Sequence, residues 1–325
     1  MKWWDRVRRT EAEDWYFGRV PDADGRTPEP IEPETRYLDV FLASMHVTDA
    51  RVGGRRFYGS VTSLVTMESR GGPRAELLAM TTPRALRDAD PENLAGVVIV
   101  NERLAGPVPY RGGDVRAEIG LFLVPAAELL DPYLSVVEDV TKLLGVSFVT
   151  PVGALMGTAK KAMDLLFGTS GKPVLEIGLA TTTAAPVPGN YCVVRAPRDS
   201  LRDVPLRLAD DYRLVRPDGV ALRDPYLVFT IGAGERRHDW AAIPGLTARY
   251  ADIDDAVADD DQPRAMQALA LFRRAALFSP DLLRADGNRI HDLVREQVLD
   301  AFPGTGTAAT AARRLPPLGD LPLYG

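Results

Sequence analysis

The chain has 325 residues, of which 46% are apolar and 26% are charged, a composition typical of a globular protein. The formal net charge of -6 argues against a nucleic-acid-binding protein, because such proteins usually carry a basic face. The single cysteine, Cys192, excludes an intrachain disulfide and a zinc site built from several cysteines.

Residues 1–35 are predicted to form an amphipathic element followed by a proline-rich linker. The element contains Trp3 and Trp4, which we expect to pack on the chain's own body, although paired tryptophans beside arginines also suit a membrane surface or a protein interface. The segment lacks the apolar stretch of a signal peptide, and no window approaches the ~18 apolar residues of a transmembrane helix. The sequence therefore predicts a cytoplasmic protein.

Residues 36–235 are predicted to form a β-rich domain. Short runs of β-branched and aromatic residues alternate with glycine and proline turns, which is typical of an antiparallel β-sandwich-like core. The stretch Thr181–Thr183 is interpreted as part of a turn or loop between two of the strands. The strands are expected at or near 37–43, 56–67, 75–80, 97–100, 115–124, 174–179, 191–195 and 226–231.

A helical hairpin is predicted as an insertion between the β blocks, at residues 131–168. Each of its two helices begins at an X-Pro pair and ends at a glycine. Gly153 and Gly157 keep one side of the second helix thin, so that another backbone can approach closely, either the chain's own sheet or a partner. The spacing of these glycines and Lys160 does not match a phosphate-binding loop.

The C-terminal part, residues 236–302, is predicted to be a helical region. Apolar periodicity places helices at 263–278 and 286–302. Residues 303–325 are rich in glycine, threonine, alanine and proline, which predicts a flexible tail. Together with the strands, these helices predict an α+β fold.

A run of aspartates between residues 252 and 261 precedes the first of these helices. The run is interpreted as a loop, in which Asp260 or Asp261 complements the positive end of the helix dipole. A calcium-binding EF-hand loop would need a central glycine and a final glutamate, and both are missing.

The most unusual loop surrounds the glycine pair at 112–113, which permits a tight turn or a bulge. Tyr110, Arg111 and Asp114 flank these glycines with polar groups. An arginine beside a flexible backbone can clamp a carboxylate or a phosphate; the alternative is an Arg111–Asp114 pair that stabilises the loop. These three residues, together with His238 from a His-Asp dipeptide, are the candidate ligand-binding residues.

No group of histidines, cysteines and carboxylates converges in the sequence, so we predict no catalytic residue, no metal and no cofactor. The sequence favours a non-catalytic binding or scaffold protein that acts in a multi-protein assembly, through a protein partner or self-association. The first alternative is a hydrolase, possibly metal-dependent, whose site is assembled from dispersed residues. The second is a peripheral membrane protein attached through residues 1–20. A nucleic-acid partner is not expected.

Overall fold

A computed structural model describes residues 15–21, 28–47, 51–52, 55–69, 74–80, 97–125, 174–302 and 314–324. The predicted helical hairpin at 131–168, with Gly153 and Gly157, lies outside these residues, as do Trp3 and Trp4. The described strands are β1 (Tyr16–Val20), β2 (Tyr37–His46), β3 (Arg51–Val52), β4 (Arg55–Met67), β5 (Ala75–Met80), β6 (Val97–Pro109), β7 (Val115–Pro125), β8 (Val174–Thr183), β9 (Gly189–Val194), β10 (Arg207–Leu208), β11 (Leu214–Val215) and β12 (Tyr226–Gly234).

Ten of the described strands form two antiparallel sheets of five strands each. The first sheet has the order β1-β9-β12-β2-β6, so β1 forms one edge and β6 forms the other. The second sheet has the order β3-β4-β7-β8, with β5 also paired to β4. With the C-terminal helices, these sheets confirm the predicted α+β class.

The two sheets pack face to face around one apolar core, which confirms the predicted sandwich-like architecture. From the first sheet, Leu38 and Leu42 of β2 point into this core and are completely buried. From the second sheet, Val61 of β4 and Ile119 of β7 meet them and are also completely buried. Burying each such side chain contributes about 1.5–3 kcal/mol, so this layer supplies much of the stability of the β-rich part.

The other face of the first sheet is covered by the irregular segment 195–225, which contains the short hairpin of β10 and β11. Cys192 lies in this second apolar layer, where it is buried and packs as a small hydrophobic residue. Burial raises the pKa of its thiol to about 12, so the thiol stays protonated and unreactive at neutral pH.

The strands extend further than the sequence pattern indicated. The interpretation of Thr181–Thr183 as a loop is wrong, because these threonines continue β8 and pair with residues 115–117 of β7. Their branched side chains suit the pleated surface of a sheet, which is the signal that was missed. Likewise, β6 runs to Pro109 instead of ending near residue 100.

Three helices follow the sandwich: α1 (Pro244–Ala258), α2 (Gln262–Phe278) and α3 (Arg284–Ala301). The sequence predicted α2 and α3 to within about two residues but missed α1. The aspartates from 252 to 255 belong to α1, so their interpretation as a loop is wrong. The predicted helix start is confirmed, since the side chain of Asp261 accepts a hydrogen bond from the backbone N–H of Arg264 and caps α2.

The helices share a core of their own, centred on the completely buried Phe272. Residues 314–324, which the sequence places in a flexible tail, pack against this core through Leu318, Leu321 and Leu323. The hydroxyl of Tyr250 donates a hydrogen bond to the carbonyl of Pro316 at 2.6 Å. The segment therefore runs along α1 and returns towards the sandwich.

Candidate functional site

The loop at 110–114, the strongest candidate in the sequence, connects β6 to β7. Gly112 and Gly113 have φ angles of +85° and +73°, a left-handed conformation that only glycine adopts easily, so the predicted tight turn is confirmed. Tyr110 is buried, and its hydroxyl lies 3.0 Å from the carbonyl of Gly113 and 3.1 Å from that of Ala184. The hydroxyl thus stabilises the turn.

The side chain of Arg111 points away from this turn and towards the helices. Its guanidinium forms an ion pair with Glu34 and donates a hydrogen bond to the carbonyl of Leu282 at 2.8 Å. The predicted Arg111–Asp114 pair is therefore wrong: Glu34 supplies the carboxylate, and Asp114 is exposed. With only 6% of its side chain exposed, Arg111 connects the sandwich to the helical region.

Beside the turn lies an open cleft of about 640 Å³. Tyr110 and the two glycines line it, together with the exposed carboxylates of Glu29 and Glu32. Arg111 does not line this cleft, so the candidate residues of the loop do not share one site.

His238 is exposed, and its ring packs edge-on against Tyr324 with the ring centroids 5.5 Å apart. The carboxylate of the next residue, Asp239, pairs with the guanidinium of Arg237 at 3.0 Å. His238 and Asp239 therefore have different partners and do not act as a pair. Arg111 contacts Glu34 and Leu282, and Asp114 is exposed, so these two residues and His238 have different neighbours.

The most elaborate polar arrangement in the described chain centres on Arg237, which has no exposed side-chain surface. Its guanidinium donates to the carbonyl of Asp281 at 2.7 Å, to the Asp281 carboxylate at 3.3 Å and to the carbonyl of Pro107 at 3.2 Å. A buried arginine is tolerated only when its charge and its donors are matched in this way. Arg237 thus connects the end of β6 to the turn between α2 and α3.

A second buried group centres on the carboxylate of Asp286, near the start of α3. The hydroxyls of Tyr37 and Tyr324 both donate to its Oδ2 atom, at 2.5 Å and 2.9 Å. The backbone N–H of Leu283 donates to the Tyr37 hydroxyl at 3.1 Å. Burial, reinforced by the Asp286 carboxylate, raises the pKa of Tyr37 well above its usual range, so Tyr37 acts only as a neutral hydrogen-bonding group.

The sandwich and the segment that follows β12 therefore contact three consecutive residues of the α2–α3 turn, an arrangement that we call the clasp. Arg237 binds residue 281, Arg111 binds residue 282 and Tyr37 binds residue 283. Sequence reasoning missed the clasp because its partners are 44, 171 and 246 positions apart along the chain.

Asp39, on β2, is a carboxylate in an unfavourable environment. Its Oδ1 atom accepts no hydrogen bond, and its closest cation, the Nε atom of Arg103, lies 3.9 Å away. Gly106 and Gly232 pack against this side chain and cover much of it, so that only 19% of it is exposed. Burial raises the pKa of Asp39 to about 6, although the nearby arginines act in the opposite direction.

Replacing Asp39 with asparagine is expected to stabilise the protein at pH 8 by about 1–2 kcal/mol. The folded state binds the proton more tightly than the unfolded state, so the carboxyl favours folding below about pH 4 and opposes it once the pH rises through 6. The gain should therefore shrink as the pH falls from 8 to 5. Urea unfolding across this range measures it; Asp203→Asn, at an exposed carboxylate, is the control, and an equal gain at both pH values would contradict the prediction.

The helical region has an apolar groove between α1 and α2, with a volume of about 510 Å³. Leu271, Arg274, Ala275 and Phe278 line it from α2, at the spacing that places side chains on one face of a helix. The opposite wall is the first part of α1, and the turn after α2 closes one end. The groove lining is Ile243, Gly245, Leu246, Arg249, Leu271, Arg274, Ala275, Phe278, Ser279, Pro280 and Asp281.

Two apolar side chains of the groove face solvent. Phe278 is 68% exposed and Leu271 is 44% exposed, although the rest of α2 buries a complete apolar stripe against α1 and α3. Large exposed apolar side chains that share one concave surface typically mark binding sites. This groove is therefore the candidate site with the clearest geometry. Of the features that the sequence predicts, only the end of α2 at Phe278 belongs to it.

The described residues contain neither a candidate metal site nor a membrane-spanning helix. In the described ranges, no three histidine, cysteine, aspartate or glutamate side chains are placed to hold a metal ion. Of the helices described, none is both long and apolar enough to cross a membrane. The predicted interaction residues Trp3, Trp4, Gly153 and Gly157 lie outside the described residues.

Comparison with known proteins gives no further identification. No family model, no curated protein and no solved structure matches this chain significantly.

Proposed function

We propose that this chain is a non-catalytic binding protein that acts in a multi-protein assembly and contacts its partner through the α1–α2 groove. The observation that carries the proposal is Phe278, a phenylalanine with 68% of its surface exposed in a concave apolar site. Leaving such a ring in water forgoes about 1.5–3 kcal/mol that burial would supply. A partner that covers the ring would recover this free energy, which is the usual energetic basis of an interface anchor.

The surroundings of Phe278 support a binding role. The best-connected polar groups of the described chain, around Arg237 and Asp286, are buried and occupied by structural hydrogen bonds. They hold the turn that closes one end of the groove, so these polar groups have a structural role. The cytoplasm stays the proposed location.

The test of this proposal is Phe278→Ser, compared with Met266→Ser on the same helix. Met266 is 42% exposed but does not line the groove, so both variants remove an exposed apolar side chain and should unfold like the wild type. Purification of the tagged full chain from its source cells, under cross-linking, should yield a stoichiometric partner with wild type and Met266→Ser. We expect Phe278→Ser to lose it.

Self-association is measured in parallel by light scattering over a range of protein concentrations. If the partner is a second copy, Phe278→Ser should be monomeric at concentrations where Met266→Ser is not. A wild-type chain that is monomeric and yields no stoichiometric partner would contradict the proposal, as would a partner that Phe278→Ser retains.

A further inference from the structure

The groove has a charge as well as an apolar floor. Three ionisable residues line it, Arg249, Arg274 and Asp281. Asp281 is buried, and its carboxylate is paired with Arg237, so it presents no free negative charge to the groove. The two arginines are exposed, and the solvent-facing charge of the lining is therefore positive although the whole chain has a net charge of -6.

The two arginines differ in how much of their charge is available. Arg249 shares its guanidinium with Asp252, one turn further along α1, at 3.1 Å. Arg274 forms no ion pair and no hydrogen bond with the described part of the chain. Arg274 is therefore the main cation of the groove, and an arginine can bind a carboxylate through two parallel hydrogen bonds.

The apolar side chains and this cation lie in register on one helix. Leu271, Arg274 and Phe278 are spaced i, i+3 and i+7 on α2, so they form a stripe about 10 Å long at a rise of 1.5 Å per residue. Across the groove, Gly245 leaves open space, since a Cβ atom there would meet nothing within 4 Å. The result is a short concave surface that combines apolar side chains with exposed arginines.

We propose that the α1–α2 groove binds an acidic amphipathic segment of a partner protein. An aromatic or branched apolar side chain of that segment packs against Phe278 and Leu271, and a flanking aspartate or glutamate binds Arg274. This inference rests on the proposed function and specifies the chemistry of the partner. An amphipathic segment can place its apolar face on such a groove, and complementary charges beside the apolar contact supply specificity.

The test selects random 12-residue peptides displayed on phage against the full-length chain and discards those that also bind Gly245→Leu. Leucine at this position fills the open wall of the groove, and it replaces a helical glycine, so this variant should fold at least as well as wild type. The enriched peptides should combine an aromatic or branched apolar residue with two or more aspartates or glutamates. Their affinities are then measured by fluorescence anisotropy with fluorescein-labelled synthetic copies.

The charge requirement is tested with Arg274→Glu and the matched variant Arg273→Glu, which makes the same change at the neighbouring exposed residue outside the groove lining. We expect Arg274→Glu to weaken binding of the selected peptides at least tenfold and Arg273→Glu to weaken it less than threefold. A peptide copy with lysine in place of its acidic residues should bind wild type poorly and Arg274→Glu better.

Three results would overturn the inference: no enriched peptide that Gly245→Leu fails to bind, enriched peptides that are neutral or basic, or equal affinity for Arg273→Glu and Arg274→Glu. These failures are distinguishable from failure of the proposed function. If Phe278→Ser loses a cellular partner while the selected peptides are not acidic, the groove is a binding site and only the chemistry assigned to its partner is wrong.

Discussion

Replacing Arg237 with methionine is expected to lower the free energy of unfolding by about 3–5 kcal/mol. The variant removes a cation that pairs with the carboxylate of Asp281, a residue that is only 1% exposed. It also removes the donor to two backbone carbonyls, those of Pro107 and Asp281. A buried charge that loses its partner keeps its full desolvation cost, which is why the loss exceeds that of an ordinary hydrogen bond.

Urea unfolding followed by circular dichroism measures this effect, with Arg236→Met as the control. Arg236 is exposed and lies over the ring of Tyr324 at 5.4 Å, so its loss should cost less than about 1 kcal/mol. The double variant Arg237→Met/Asp281→Asn should regain part of the lost stability, because it removes the stranded charge. A loss below 1 kcal/mol for Arg237→Met alone would mean that the guanidinium is not the stabilising partner of Asp281.

Replacing Gly287 with alanine is expected to destabilise the protein by about 2–3 kcal/mol, although alanine is the better helix former. Gly287 lies inside α3 where that helix touches the end of α2. A Cβ atom there would lie 2.7 Å from the carbonyl oxygen of Ala276 and 3.4 Å from the Cα atom of Leu277. Both neighbours are backbone atoms of a helix, so the clash is relieved only if the two helices move apart.

Gly245→Ala is the matched control for Gly287→Ala. Both glycines are in helices, but Gly245 has no neighbour within 4 Å of its Cβ position, so alanine there should be neutral or stabilise by up to about 1 kcal/mol. The two substitutions therefore have opposite expected signs in the same denaturant experiment. Equal effects of the two would show that helix propensity, and not the close approach of α2 and α3, decides the outcome.

The sequence predicts the elements of this fold where periodicity is strong. Alternating apolar residues predict β7, and the amphipathic stripes predict α2 and α3, because burial of one face is the dominant local signal. The same signal exists in α1, where Leu246, Tyr250, Ile253 and Val257 form a buried stripe. The aspartates between these residues favour a loop and obscure the stripe in the sequence.

The candidate site is much less predictable than the elements. The sequence does not show whether an apolar residue of a helix is buried or exposed, because that depends on the neighbouring helices. Phe278 therefore looks like a core residue of α2 in the sequence, although it is exposed beside α1 in the structure. Arg111 is a candidate ligand-binding residue in the sequence, but its partners in the structure, Glu34 and Leu282, are 77 and 171 positions away. Contacts at such separations arise from tertiary packing, for which a single sequence carries no local signal.

The clasp has a consequence for how quickly a partner can be captured. Because Arg237, Arg111 and Tyr37 hold residues 281, 282 and 283 in turn, the end of the groove cannot open without breaking these hydrogen bonds. Under the proposed function, the groove would bind a partner segment without rearranging this turn, and the conformational cost would fall on the incoming segment. We expect association to be a single step limited by diffusion and orientation, without a slow rearrangement of this chain.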